Sequence, residues 1–179
     1  IEKINSLNKY GMKLGLERME KLLKLLFDPQ DKIRFIHVAG TNGKGSICNM
    51  VASILKDSGY KTGLFISPYV IDFRERIQIN NKMISEQEVI NLVEKIMPIA
   101  EEMSLHGDAV TEFEFITAMA FKYFYDTRCD IVVLEVGLGG RYDSTNVIKN
   151  PLLSVITSIS YDHENILGDT LGKIAFEKC

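Results

Sequence analysis

Phe35-Ile36-His37-Val38-Ala39 runs directly into Gly40-Thr41-Asn42-Gly43-Lys44-Gly45-Ser46, and a helical pattern follows from Ser46 to Asp57. A buried strand, a Gly-rich turn and a helix, in that order, are what a phosphate-cradling loop requires. The glycines let the backbone curl so that several N–H groups face inward, and the helix start adds the positive end of its dipole. In such a loop Lys44 reaches the β- and γ-phosphates and Ser46 is placed for Mg²⁺, so the run points to a nucleoside triphosphate. Gly40, Thr41, Asn42, Gly43, Lys44, Gly45 and Ser46 are the expected nucleotide-binding residues. The spacing departs from the general P-loop pattern, because Val38 stands where its first glycine would fall and Gly45 where Ser or Thr would follow the lysine. A loose Gly-rich turn is the alternative; we read a variant P-loop.

Outward from this loop the chain alternates helix and strand. Leu16, Met19, Leu22, Leu23 and Leu26 form a helical stripe that stops at Asp28-Pro29, and strand one spans Arg34 to Ala39. The helix after the loop closes at Gly59, and Lys61 to Ser67 reads as a second buried strand. Arg76 to Ile84 alternates around Asn80-Asn81, a hairpin turn. Ser85 and Glu88 form a capping box that opens a helix toward Ile96, with Pro98 expected to end or kink it. Glu112 to Tyr125 is another helix, its Phe113, Phe115, Phe121 and Phe124 falling at core spacing. Asp130 to Val136 and Leu152 to Ser158 are apolar runs of the kind found in parallel strands covered on both faces. The pattern predicts an α/β fold with a mostly parallel sheet flanked by helices. In such a sheet, ligands gather outside the carboxyl edge, where the strand-end segments Gly40–Ser46, Ser67-Pro68, Glu135–Gly140 and Asp162-His163 meet.

Bulk properties bound the reading. The chain has 179 residues, is 46% hydrophobic and 25% charged, and carries a formal net charge of −3, which argues against bulk nucleic-acid binding. It shows neither a run of about 18 apolar residues nor the apolar stretch of a signal peptide, so no membrane partner and a cytoplasmic location are expected. Cys48, Cys129 and Cys179 are odd in number and far apart, which suits reduced thiols better than a disulfide framework or a zinc site. Lys9, Lys13, Arg18, Lys21 and Lys24 read as a solvated face. His37 and His106 read as structural or exposed.

The variant loop Ala39–Ser46 resembles that of the Mur ligase superfamily, and within it the folylpolyglutamate synthase and dihydrofolate synthase family, since the peptidoglycan ligases usually carry Thr where Gly45 stands. Val133 to Ile148 (Val-Leu-Glu-Val-Gly-Leu-Gly-Gly-Arg-Tyr-Asp-Ser-Thr-Asn-Val-Ile) resembles that family's other diagnostic stretch. The likeness continues through Ser67-Pro68, Glu75-Arg76-Ile77, Asp162-His163 and Ile174 to Lys178. It implies ATP as cofactor with two Mg²⁺ ions, Ser67 and Glu135 as ligands of the ion on the ATP phosphates, Ser46 touching that ion, and His163 as a ligand of the second. Lys178 matches the lysine that is carbamylated in this family. An ordinary lysine, with a pKa of about 10.4, would be cationic and repel Mg²⁺, whereas a carbamate is an anionic oxygen donor. By composition alone Lys178 reads as a solvated helix lysine.

The resemblance further implies a pterin-bearing acid, dihydropteroate or a folate, whose carboxylate becomes an acyl phosphate before L-glutamate attacks. Lys44, Glu135, His163 and Lys178 are then the catalytic set. Thr111, Glu112, Phe113 and Glu114, with Tyr142, Asp143 and Ser144, match segments near the pteroate pocket, as Met12-Lys13-Leu14 does more weakly. Phe113 or Tyr142 offers an aromatic face. Arg76 pairs with an anionic group or with the neighbours of Glu75, in a loop that either covers the site or is plain surface. The chain lacks a start Met and stops inside a helix, so residues 1–179 are expected to be an ATP-binding domain incomplete at its C-terminal end, without the C-terminal glutamate-ligase domain and inactive alone. A monomer is expected. Two rivals stand beside this reading: another Mur-type amide ligase, and a P-loop nucleotide-binding module or kinase.

Overall fold

Six strands form one mixed sheet: β1 (Phe35–Ala39), β2 (Thr62–Phe65), β3 (Ile77–Ile79), β4 (Lys82–Met83), β5 (Ile131–Glu135) and β6 (Leu153–Ile156), in the order β4-β3-β2-β5-β1-β6. These come from a computed structural model that describes residues 1–11 and 13–178. Strands β2, β5, β1 and β6 are mutually parallel, while β3 and β4 add an antiparallel edge. The fold is the expected α/β arrangement. β5 inserts between β2 and β1, so β1 lies between strands that both follow it in the chain. The loop after β1 therefore opens where neighbouring crossovers diverge, the place where such sheets bind ligands.

Strand alternation divides the core. Phe35, Phe65, Val132 and Leu134 face the larger cluster, built with α1 (Glu2–Asn5), α2 (Glu17–Leu25), α4 (Glu86–Leu105) and α5 (Glu112–Asp126). Ile36, Val38, Leu64, Ile131 and Val133 face the smaller one, against Cys48 and Ala52 of α3 (Lys44–Asp57). Two short helices, α6 (Glu164–Leu167) and α7 (Leu171–Lys178), follow the sheet. Asn80 and Asn81 both have positive φ, 51° and 62°, as the hairpin between β3 and β4 requires.

Four expectations are corrected. The helix after the phosphate loop begins at Lys44, two residues before Ser46. Helix α4 does not end at Pro98, the first of the two outcomes expected there, but continues to Leu105, because Ile96, Met97, Ala100 and Met103 are buried on both sides of the proline and their packing outweighs its cost of about 3 kcal/mol. Strand β6 is not covered on both faces: Leu153 and Ile156 are 54% and 41% exposed, and among the described residues the strand pairs with β1 alone, at the sheet edge. Arg18 leaves the solvated face to pair with the buried Glu114, Nη2 to Oε1 at 2.9 Å. Met12 and Cys179 lie outside the described residues.

Candidate active site

The phosphate loop is held from both sides. Gly40 has φ +140°, and a Cβ there would stand 2.0 Å from Thr157 Oγ1, so only glycine lets the loop pass this close to the segment after β6. That segment clasps the loop: Thr41 N donates to Ser158 O at 2.7 Å, Thr41 Oγ1 to Ser160 O at 3.1 Å, and Thr157 Oγ1 to Asn42 O at 2.7 Å. Gly43, at φ +80°, turns the chain into α3. Gly45 and Ser46 then occupy its first turn, where backbone N–H groups and the dipole favour an anion.

Lys44 folds back on this loop, its Nζ donating to Gly40 O and Thr41 O at 3.1 Å each. Lys178 Nζ reaches the same Gly40 oxygen at 3.0 Å. Lys178 is 5% exposed, so the solvated lysine that composition alone suggested is corrected. Burial, and then the charge of Lys44, lowers its pKa, while Asp162 opposes the shift.

Glu135 sits at the end of the β5 row that faces α3, two residues beyond Val133. It is 3% exposed and accepts a hydrogen bond from Ser67 N at 2.9 Å. Burial raises its pKa, offset by the Ser67 amide, Lys44 and Arg76. A Cβ on Gly45 would lie 3.5 Å from Oε2, so the first turn of α3 abuts the carboxylate. A buried carboxylate beside a helix N-terminus and a lysine suits Mg²⁺ held jointly with phosphate oxygens, because that ion commonly takes one or two carboxylates plus phosphates and water. Among the described residues, no three His, Cys, Asp or Glu side chains cluster closely enough to hold a metal without such partners.

A cavity of about 500 Å³ is lined by Lys44, Ser67 and His163 together with Thr111, Glu112, Phe113, Glu114, Tyr142, Asp143 and Ser144. The structure thus gathers the expected acid-binding segments and three of the expected phosphate and metal residues around one space. His163 has φ +46° and an exposed ring, with Nε2 3.5 Å from Asp162 Oδ1. Not every residue is free for a ligand. Glu114 caps α5 through Thr111 N at 2.8 Å and pairs with Arg18. Asp143 is buried with a raised pKa caused by that burial, and it accepts from Leu138 N, Thr145 N and Thr145 Oγ1 at 2.8, 3.0 and 2.5 Å.

Sequence reasoning missed the support behind this wall. His37 Nε2 lies 2.9 Å from Thr145 Oγ1. The threonine hydroxyl gives its one proton to Asp143, so it accepts from His37, which fixes the Nε2–H tautomer. Burial lowers the pKa of His37 to about 4. Asp143-x-Thr145 was a legible turn signal; the partner on β1 was not. A Cβ on Gly137 would meet Phe113 at 2.5 Å, so this glycine admits the aromatic ring. Asn8, Gly11 and Lys13–Gly15 also line the cavity.

The sequence family described as the Mur ligase middle domain matches residues 38–179. The dihydrofolate synthase/folylpolyglutamate synthase of Bacillus subtilis (strain 168) is 51% identical over 173 residues, 95% of this chain and 40% of that protein. The crystal structure of the folylpolyglutamate synthase of Thermotoga maritima superposes with a TM-score of 0.89 at 43% identity, covering 99% of this chain and 40% of its own. A structure described as an FPGS–AMPPCP–folate complex superposes with a TM-score of 0.89 at 40% identity, covering 99% of this chain and 44% of its own. The chain spans about two fifths of the length of the relatives it matches. No helix among the described residues is long and apolar enough to cross a membrane.

Proposed function

The chain belongs to the Mur ligase family, as a middle domain, and we propose that it is the ATP-binding part of a ligase that joins L-glutamate to dihydropteroate or a folate. One observation carries the reading: Lys44, Ser67 and His163 share a single cavity with Phe113 and Tyr142, so phosphate-binding and ring-binding groups face the same space. The named relatives, all described as folylpolyglutamate synthases and one as a dihydrofolate synthase too, support the choice of substrates.

In this reading a carboxylate oxygen of the pterin acid attacks the γ-phosphorus of ATP, the bond to the bridging oxygen breaks, and ADP leaves. The amino nitrogen of glutamate then attacks the acyl carbon, the bond to phosphate oxygen breaks, and the nitrogen gives up a proton as the amide forms. Both partners of the first step are anionic, and cations must offset their repulsion. Mg²⁺, when bound, neutralises phosphate charge and orients the transfer. Glu135, Ser67 and Ser46 would hold the ion on the ATP phosphates. Their oxygen donors and the burial of the carboxylate fit it. His163 would serve a second ion, with Lys178 as a carbamate. As an amine donating to Gly40 O, Lys178 is a donor rather than a ligand, and its lowered pKa suits it to react with CO₂. Lys44 turns from its own loop carbonyls to the phosphates, and the first turn of α3 supplies N–H donors. Phe113 and Tyr142 stack the pterin. The glutamate site belongs, in this proposal, to the part of such an enzyme beyond this domain, and the reducing cytoplasm suits its free thiols Cys48 and Cys129.

The test is incorporation of labelled glutamate by the full-length protein, assayed separately on dihydropteroate and on reduced folates. ADP release that requires both glutamate and a pterin acid supports the reading. Release driven instead by UDP-sugar peptides, or by a substrate without glutamate, contradicts it.

A further inference from the structure

One cation that the chemistry above leaves unused is Arg76, at the end of the loop leading into β3. It lines the same cavity as Lys44, Glu112 and Phe113. Its Nε is fully buried without a hydrogen-bond partner, and the guanidinium makes no ion pair among the described residues. What holds it is packing: its guanidinium carbon lies 5.2 Å from the centre of the Tyr69 ring, a cation–π contact that leaves the planar fork free. Its backbone is fixed as well, since Arg76 O accepts from Ile66 N at 3.1 Å across the start of the β2–β3 pairing. Burial lowers its pKa, and Glu112, Tyr69 and Glu135 oppose that shift, so the group stands within electrostatic reach of both Glu112, beside Phe113, and Glu135, beside Lys44.

A half-buried guanidinium with an orphaned N–H is expensive to keep unless something fills it. The acids nearest in the chain do not: Glu75 is consumed by the amides of Val70, Ile71 and Asp72 at 2.7, 3.0 and 2.9 Å, and Asp72 by Arg74, while Glu112 and Glu135 act on Arg76 through space without an ion pair among the described residues. A planar five-donor fork in a cavity that also presents an aromatic face matches a carboxylate borne on a ring system. Resting on the ligase reading, we propose that Arg76 binds the carboxylate of the pterin acid that is to be phosphorylated, holding it against Lys44 and partly cancelling its charge. Arg76 thereby selects acids over neutral pterins.

The test compares binding of pteroate and of its carboxamide to the full-length protein, with Arg76→Gln and Arg76→Lys, and ATP affinity as a control. The wild type should prefer the acid by at least about tenfold, the range expected of a charge-assisted bidentate contact. Arg76→Gln should bring the two ligands to near equal affinity through loss of the acid alone, and Arg76→Lys should fall between, with ATP affinity unchanged in both. If Arg76→Gln keeps the preference, or weakens acid and amide equally, the assignment is overturned while the ligase reading stands. If the wild type binds neither pterin, both fall.

Discussion

Lys44 and Lys178 donate to one acceptor, the carbonyl oxygen of Gly40, at 3.1 and 3.0 Å. Two ammonium groups from distant parts of the chain thus converge on the loop that would carry the phosphates. A shared carbonyl offsets only part of their repulsion, so the arrangement favours whatever anion arrives. It also ties the last helix to the phosphate loop, across 138 residues of sequence.

Lys178 is therefore a stability cost at neutral pH. A lysine whose folded pKa is depressed weakens the fold wherever the unfolded chain holds the extra proton. Lys178→Met should raise the Tm, because it removes a cation whose charge burial and Lys44 disfavour in the folded state. Thermal unfolding at pH 7 without nucleotide checks this, and a lower Tm would contradict it.

Lys44→Met should leave the fold intact, because its Nζ bonds only loop carbonyls, yet weaken ATP binding about 10- to 100-fold through loss of a charge-assisted contact. Calorimetric titration of the variant against wild type measures it.

His37 predicts a pH dependence. Its folded pKa is about 4 against an ordinary 6.5, so it supplies stability in full above pH 6.5 and loses it progressively as pH falls toward 4. The contribution is about 3 kcal/mol at most. His37→Gln keeps a donor for Thr145 but cannot titrate. Denaturant unfolding from pH 7 to 4 should show wild type losing more stability than the variant over that window, and parallel curves would refute it.

The fold was readable because its signals are local. Ser85 with Glu88 is a capping box that forms as read, Thr111 with Glu114 is a second one that reading those residues as part of the acid pocket does not anticipate, and the apolar runs of β1 and β5 are buried throughout. Pro98 misled because a local rule met a buried stripe on both sides of it. Leu153 misled because the run of residues in β6 cannot reveal that its strand lies at an edge. At the site, the motifs named the loop and Glu135, but the His37–Thr145–Asp143 chain and the Thr157–Asn42 clasp join residues about a hundred positions apart, which no spacing encodes.

Two glycines should respond oppositely. Gly40→Ala forces a Cβ to 2.0 Å from Thr157 Oγ1 at φ +140°, costing about 1–3 kcal/mol and disturbing nucleotide binding. Gly172→Ala, in helix α7 with nothing near the added Cβ, should stabilise by about 0.5–1 kcal/mol. Chemical denaturation of both variants decides.

Glu135 is a carboxylate buried beside the phosphate loop. Titrating the full-length protein with a non-hydrolysable ATP analogue, with and without Mg²⁺, in wild type and Glu135→Gln, tests its role as an Mg²⁺ ligand most directly. Mg²⁺ should tighten binding to the wild type and lose at least about tenfold of that effect in the variant, whose amide removes the negative charge but keeps an oxygen to accept from Ser67 N. Equal enhancement by Mg²⁺ in both proteins would contradict the account.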